Sequence, residues 1–163
     1  MNKEAFGILV TESAPGLYRI SKSILKNDAD CEDAAQEAIA IAFSKLHTLK
    51  NQAYAKTWLM RILINECYRI LKKKQKYHLI GDTADTGAHY QPHSYSDLYA
   101  AISALETRQR VIIVLYYIEG FSVAETAKIL KIPAGTVKSR LSRARARLKE
   151  QLTESEDFRY EKI

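Results

Sequence analysis

The sequence predicts an all-α protein in which a flexible linker joins two small helical domains. Its 163 residues include only 6 glycines and 3 prolines, too few turn formers for the many hairpins of an all-β chain. Apolar residues recur at helical spacing, and this pattern stops between residues 78 and 96, where turn-forming residues cluster. We therefore expect domains at 3–77 and 97–152, a linker at 78–96 and a charged tail at 153–163.

The first domain should contain a short helix over Lys3–Thr11 and a second helix that Pro15 opens, because proline suits a first helical turn. Asp28 or Asp30 would cap the next helix. That helix has an expected apolar face of Ala35, Ile39, Ala42, Phe43 and Leu46. After a loop at 47–51, a long helix follows and ends in lysines, whose charge favours a helix C-terminus. Its predicted stripe is Leu59, Leu63, Cys67, Ile70 and Leu71.

The second domain should open with two helices. One predicted stripe is Leu98, Ile102 and Leu105, and the other is Val111, Val114, Leu115 and Ile118. Gly120 would then end the helical pattern.

Residues 122–147 predict a helix-turn-helix. Ser122 and Glu125 form a capping box, residues 131–133 turn the chain, and a basic helix runs from Ala134 to Leu152. The residues expected between the two helices are Ala127, Ile129, Ile132, Val137 and Leu141. Lys131 would need a left-handed backbone, at a cost of about 1 kcal/mol.

Charge distribution favours two kinds of partner. The net charge of +6 and the pI near 9.2 favour a polyanionic partner. Between Ala134 and Glu150, the last helix carries six cations and a single acid, Glu150, and phosphates would neutralise this excess of positive charge. A solvated basic face that binds RNA or an acidic protein is the simpler alternative. Residues 28–37 hold five acids, of which some only complement a helix N-terminus. The others would suit a basic protein partner.

Compartment is indicated by what the chain lacks. No apolar run approaches the roughly 20 residues of a membrane helix, and Met1–Phe6 has no signal-peptide pattern, so we expect a cytoplasmic protein. Cys31 and Cys67 are isolated, which favours packing roles in a reducing compartment, although a disulfide between them stays open.

Three segments resemble bacterial extracytoplasmic-function sigma factors of the sigma-70 family. Residues 30–38 (DCEDAAQEA) resemble the segment that grips the clamp helices of core RNA polymerase. Residues 57–67 (TWLMRILINEC) resemble the helix that melts and recognises the −10 element, and residues 132–145 (IPAGTVKSRLSRAR) are similar to the −35 recognition helix. The three motifs stand in the family's order, and the resemblance covers residues 6–152.

The resemblance implies three sets of functional residues. Those for polymerase are Asp33, Gln36 and Glu37. Those for the −10 element are Leu49, Asn51, Trp58, Arg61 and Asn65, with the loop at 47–53 around a flipped base. Those for the −35 element are Thr136, Lys138, Ser139, Arg140, Ser142 and Arg143. A core role for Trp58 and a merely exposed position for Asn65 stay open as alternatives.

Two positions depart from the family pattern. Arg69 stands where an acid is common, which leaves the local contacts open, and Glu106–Thr107 stands where prolines are usual. The implied partners are core RNA polymerase, promoter DNA and an anti-sigma factor, for which membrane anchoring is one option. We expect no cofactor, metal, small-molecule substrate or catalysis.

Two other functions compete with this interpretation. An ordinary helix-turn-helix regulator would bind a palindromic duplex without polymerase, and the acidic segment disfavours it. An enzyme is disfavoured because His89 and His93 lie in the linker without a ligand set, and no phosphate-binding or nucleophile motif is present.

Overall fold

The computed structural model describes residues 1–78 and 96–160, with side chains for 1–77 and 97–154. Every regular element within these residues is helical, as predicted. The seven α-helices are α1 (Lys3–Leu25), α2 (Asp28–Ser44), α3 (Ala55–His78), α4 (Ser96–Ala104), α5 (Thr107–Ile113), α6 (Val123–Leu130) and α7 (Ala134–Tyr160). We call α1–α3 the amino-terminal unit and α4–α7 the carboxy-terminal unit.

Helix α1 is continuous, so the predicted break before Pro15 was wrong. Pro15 lies inside the helix, although an interior proline removes a backbone hydrogen bond. Leu17, Ile20 and Ile24 are almost fully buried beyond it, and their burial holds the second half of the helix in line with the first. The side chain of Asn2 caps the start of α1 by accepting from the backbone N–H of Ala5.

Helix α2 differs from its prediction in both its cap and its face. Asn27, rather than Asp28 or Asp30, is the N-cap, because its Oδ1 accepts from Asp30 N over 2.9 Å. The fully buried face consists of Cys31, Ala34, Ala38 and Ala42. Small side chains on this face let α1 and α3 approach closely. Phe43 is 47% exposed and lies against Phe6 at the surface, so it does not belong to the core face.

The predicted loop at 47–51 lies in a segment that contains two short 3₁₀ turns, Leu46–Thr48 and Gln52–Tyr54, before α3 begins. On α3 the predicted stripe is confirmed. Leu59, Leu63 and Cys67 are fully buried, and Ile70 and Leu71 pack against them.

The carboxy-terminal unit buries a somewhat different set of apolar residues than its hydrophobic spacing predicts. Leu105, Val111 and Leu115 are in the core, but Leu98 is 46% exposed and Ile118 is 43% exposed. For Ile118 the reason is a π-helical turn at Val114–Ile118, which follows α5 and rotates the later side chains away from the α-helical stripe. Leu98 lies in α4, before this turn, and nothing in the structure explains its exposure. Gly120 ends this segment with a φ of 73°, as expected.

The last helix is longer than predicted. We expected α7 to end at Leu152 and the tail to fray, whereas the helix continues to Tyr160. The predicted linker at 78–96 falls outside the described residues except for His78, which ends α3, and Ser96, which begins α4.

The two units pack directly against each other. Helix α3 contacts α6, and α1 contacts α5 and the π-helical turn. Buried apolar side chains from both units form one continuous cluster, which includes Ile20, Leu59, Leu115 and Val137. The fold therefore places α3 of the amino-terminal unit directly beside α6 of the carboxy-terminal unit.

Both cysteines are free and buried, in agreement with packing roles. Burial raises the pKa of Cys31 to about 11 and that of Cys67 to about 12, which keeps both thiols protonated at neutral pH. Among the described helices, none combines the length and apolar content that crossing a bilayer requires.

Candidate functional site

The three residues predicted to bind polymerase lie together on α2. Asp33, Gln36 and Glu37 are exposed on the side of the helix opposite Ala34 and Ala38. All three line one open groove between α2 and the second half of α3. The groove offers a partner two carboxylates and an amide along about one helical turn.

The far wall of this groove is basic, which the sequence did not predict. Arg69 and Lys73 of α3 line it opposite the acids. Arg69 Nε donates to Glu66 Oε2 over 2.6 Å, and this hydrogen bond is the main reason that the pKa of Arg69 is raised, with a smaller contribution from Glu37. The unusual cation at position 69 is thus paired with Glu66 on its own helix.

A second ion pair closes one end of the groove. Lys74 bonds to the carboxylate of Asp30, which also accepts from Asn27 Nδ2 over 2.7 Å. Burial pushes the pKa of Asp30 upward, but the bonds from Lys74 and Asn27 outweigh it and hold that pKa below its ordinary value. These contacts fasten the start of α2 to the end of α3.

The residues predicted for the −10 element occupy the 3₁₀ turns and the exposed face of α3. Arg61 and Asn65 are exposed and lie one helical turn apart. Trp58 lies one turn before them, and it is partly buried against the core while keeping some surface accessible. This partial burial is compatible with both alternatives that the sequence left open for Trp58.

The loop before α3 is locally ordered by its own side chains. Asn51 Oδ1 accepts from Ala53 N over 2.9 Å and caps the second 3₁₀ turn. Leu49 is partly buried between the two turns. One lone pair of the Asn51 oxygen is therefore used by this cap, and the second lone pair and the amide N–H groups are available to a base.

The carboxy-terminal unit covers part of this region. Lys128 of α6 lies over the ring of Tyr54 at 4.9 Å from the centroid, and Lys56 lies over Phe121 at 5.3 Å. These cation–π contacts join the start of α3 to the helix-turn-helix. No sequence pattern pointed to these four residues, because each contact joins positions distant along the chain.

The helix-turn-helix forms as predicted. Ser122 and Glu125 complete the capping box, with bonds of 3.1 Å and 2.8 Å. Lys131 adopts the left-handed backbone at φ 54°, and Ile129, Val137 and Leu141 are buried between the helices. The turn places the first residues of α7 at the surface.

The residues predicted for the −35 element divide into two groups on α7. Lys138, Ser139, Ser142 and Arg143 are exposed, and they flank the buried positions Val137, Leu141 and Ala144. Thr136 and Arg140 are only partly exposed. Thus α7 packs by one face and presents four polar side chains on the other.

Other cations of α7 have partners within the molecule. Arg145 donates to the Tyr117 hydroxyl over 3.0 Å, and Arg147 pairs with Glu150 at 3.5 Å. Arg140 lies near Tyr68 of α3, whose pKa is raised by burial against the opposing effect of Arg108 and Arg140. Within the described part of the chain, the side chains of Lys138 and Arg143 make no hydrogen bond or ion pair. An anionic partner would therefore have no internal contact to displace at these two residues.

No cluster of three potential ligands for a metal ion occurs among the residues that the structure describes. His89 and His93, considered for an enzymatic role, lie outside those residues.

Comparison with known proteins identifies both units. The family model "Sigma-70 region 2" matches residues 9–77, and "Sigma-70, region 4" matches residues 95–148. The RNA polymerase sigma factor SigV of Bacillus subtilis is 31% identical and aligns over 90% of each chain. The extracytoplasmic-function sigma factor SigW of the same organism is 33% identical over 93% of this chain and 90% of its own.

Solved structures match the whole arrangement of helices. The sigma factor RpoE of Bartonella quintana, solved in complex with the anti-sigma factor NepR, is 29% identical with a TM-score of 0.75, over 93% of this chain and 96% of its own. CnrH, solved with the cytosolic domain of CnrY, is 25% identical with a TM-score of 0.69, over 94% and 90%. With region 2 and region 4 in the family's order and full-length relatives above 30% identity, this chain belongs to the extracytoplasmic-function sigma factors of the sigma-70 family.

Proposed function

We propose that this protein binds core RNA polymerase, directs it to promoters through their −10 and −35 elements and starts transcription. The observation that carries the proposal is the separation of charge on a sigma-factor fold. An exposed acidic edge lies on region 2, and an exposed basic helix face lies on region 4. One surface suits a protein partner and the other suits duplex DNA.

Polymerase would dock on the acidic edge of α2. Asp33, Gln36 and Glu37 are the proposed contacts, and their exposure leaves them free to accept charge-assisted hydrogen bonds from a basic helix. Arg69 and Lys73 on the far wall would restrict which partner fits, because a uniformly basic surface would be repelled there.

The −10 element would be held as a single strand along α3. Arg61 would contact the phosphate backbone, Asn65 would bond a base edge, and the accessible part of Trp58 would stack on an unpaired base. The 3₁₀ turns that contain Leu49 and Asn51 would form the wall of a pocket for a flipped base.

The −35 element would bind α7 in the major groove. Lys138 and Ser139, near the helix start, are proposed for base edges, with support from Thr136 and Ser142. Arg143 and Arg140 would contact phosphates. Arg140 is only partly exposed, so it would contribute less than Arg143.

An anti-sigma factor is the proposed regulator, because the solved relative RpoE, which covers 93% of this chain, is bound by the anti-sigma factor NepR. The role requires no catalysis by this chain, and it places the protein in the cytoplasm with polymerase and the chromosome. A regulator that acts without replacing sigma would instead give a duplex footprint in the absence of core enzyme.

Promoter-selective transcription with purified core polymerase tests the proposal. The wild-type chain should direct initiation at a promoter that core enzyme alone ignores. The pair Asp33→Lys and Glu37→Lys should abolish pull-down of core enzyme, since it converts two attractions into repulsions.

The matched control carries Glu4→Lys and Glu12→Lys, the same charge change at exposed positions of α1. This control should bind like wild type, and circular dichroism should show both variants folded. Wild-type binding by the Asp33/Glu37 variant would place the polymerase contact elsewhere.

A further inference from the structure

The groove between α2 and α3 keeps two walls of opposite charge apart. Asp33 and Glu37 lie on the α2 wall, and Arg69 and Lys73 lie on the α3 wall. Within each pair the two residues are about 6 Å apart along their helix, because they lie one helical turn from each other. Among the described residues, no hydrogen bond or ion pair joins these two acids to these two cations. An occupant of the groove would therefore meet charges on both of its sides.

The two walls run antiparallel. Asp30, early in α2, bonds to Lys74, late in α3. Glu37, later in α2, contributes to the raised pKa of Arg69, which lies earlier in α3. The space between the walls measures about 680 Å³, and its lining includes the half-buried Ile70. A docking helix would thus have acids along one side, cations along the other and an apolar contact between them.

Arg69 is held at the rim of the groove by its own helix. Its Nε donates to Glu66 Oε2 over 2.6 Å, and the Glu66 side chain is largely buried whereas that of Arg69 is 56% exposed. The two terminal amino groups of Arg69 make no hydrogen bond within the described residues. One bond therefore orients the guanidinium, and its remaining N–H groups are available to a second carboxylate, which arginine binds with paired hydrogen bonds.

This distribution of charge selects against a docking helix that is basic on every side. The cations of such a helix would be attracted to Asp33 and Glu37 but repelled by Arg69 and Lys73. A helix with basic residues on one side and a carboxylate on the other would be attracted by both walls. The charge on the α3 wall thus discriminates between partners that the α2 wall alone would accept equally.

We propose that Arg69 is a specificity-determining residue of the polymerase contact, and that the polymerase helix seated in this groove carries a carboxylate that Arg69 binds. Basic side chains of the same helix meet Asp33 and Glu37. Lys73 adds positive charge to the wall on which Arg69 lies. This inference rests on the proposed function, because it names the chemistry of the polymerase surface that docks on α2.

Two substitutions of Arg69 test the inference. Arg69→Glu reverses the charge of the α3 wall, and Arg69→Gln removes the charge while an amide N–H remains that is able to donate to Glu66. The matched control is Lys72→Glu, the same change of charge at an exposed residue of α3 that does not line the groove. Circular dichroism checks that each variant is folded, and Arg69→Gln decides the question alone if Arg69→Glu is not.

Binding of purified core polymerase to the immobilised full chain measures the dissociation constant. The wild type and Lys72→Glu should bind alike. The dissociation constant should rise about tenfold for Arg69→Gln and about 100-fold for Arg69→Glu, because the first loses an attraction and the second adds a repulsion. The difference between wild type and Arg69→Gln should shrink at high ionic strength, since salt screens the contact.

A polymerase helix that is basic on both sides would give the opposite response. Arg69→Glu would then bind core polymerase more tightly than wild type, because a repulsion becomes an attraction. Tighter or unchanged binding by the folded Arg69 variants would overturn the inference. If the Asp33→Lys and Glu37→Lys pair still abolished binding, the proposed function would stand without it. Failure of the wild-type chain to bind core polymerase would refute the proposed function and this inference together.

Discussion

The two surfaces proposed to contact promoter DNA are exposed to different degrees in the same structure. On α7, Lys138 and Arg143 are exposed on a helix whose opposite face is buried. At the start of α3, Trp58 is half-buried, and neighbouring Tyr54 lies under Lys128 of the other unit. The −35 surface is thus exposed in this packed arrangement of the two units, whereas the start of α3 lies against the interface between them.

Because of this difference, the −35 contact on α7 and the −10 contact on α3 should respond differently to the packing of the two units. Duplex binding by α7 needs little more than the accessible helix face, apart from Arg140. On α3 the proposed contacts Arg61 and Asn65 are exposed, whereas the neighbouring Lys56 and Tyr54 contact Phe121 and Lys128 of the other unit. We therefore expect variants on α7 to change affinity directly and variants on α3 to act mainly after promoter opening.

The largest effect is expected from Lys138→Ala combined with Arg143→Ala. Losing a base contact and a phosphate contact should lower −35-dependent initiation about 100-fold and reduce the salt dependence of duplex binding by about one to two counterions. Titration of a −35 duplex at several salt concentrations measures both changes. The control, Arg147→Ala, removes a cation that pairs with Glu150 one turn later. Equal losses in both variants would mean that α7 binds DNA by overall charge alone.

A smaller, more selective effect is expected from Arg61→Ala combined with Asn65→Ala. Both side chains are exposed, so the fold should persist, while affinity of the sigma–polymerase complex for a single-stranded −10 oligonucleotide should fall about tenfold. Binding to the −35 duplex should not change. Arg69→Ala on the same helix provides the control, because Arg69 pairs with Glu66 and lines the groove. A loss of duplex binding would contradict the division between the two surfaces.

The smallest effect concerns the amino-terminal unit alone. Asp30→Asn should reduce the free energy of unfolding by about 1 kcal/mol at pH 7, because the carboxylate bonds to Lys74 and Asn27. The lowered pKa of folded Asp30 means that its contribution is present above the unfolded value of about 3.9 and is lost as pH falls through the folded value. Urea titrations of both proteins at pH 7 and near pH 3 measure this difference. Asp33→Asn on the same helix should change stability little, and a gap of the same size at both pH values would assign the effect to something other than the carboxylate.

Local sequence patterns were sufficient where a single element decides the outcome. The capping box of Ser122 and Glu125 and the left-handed Lys131 lie within one turn of the residues they affect. The exposed face of α7 also followed from helical spacing, because its buried positions Val137 and Leu141 repeat at four residues. These features required no knowledge of distant neighbours.

The patterns failed where packing overruled local preference. Pro15 indicated a helix start, but burial of Leu17 and Ile20 keeps α1 continuous. The π-helical turn at Val114–Ile118 exposes Ile118 although its spacing fits the predicted stripe. The π-helical turn shifts the helical register by one residue. Hydrophobic periodicity does not reveal this shift, because apolar residues stand both before and after it.

The all-α class, the helix-turn-helix and the charge of both functional surfaces follow from the order of residues along the chain, because helix periodicity and capping are local. The ion pair between Arg19 and Glu119, the burial of Arg110 and the cation–π contacts of Lys56 and Lys128 arise only when distant segments meet. Such contacts depend on the relative placement of two helical units, and no pattern within either unit specifies that placement.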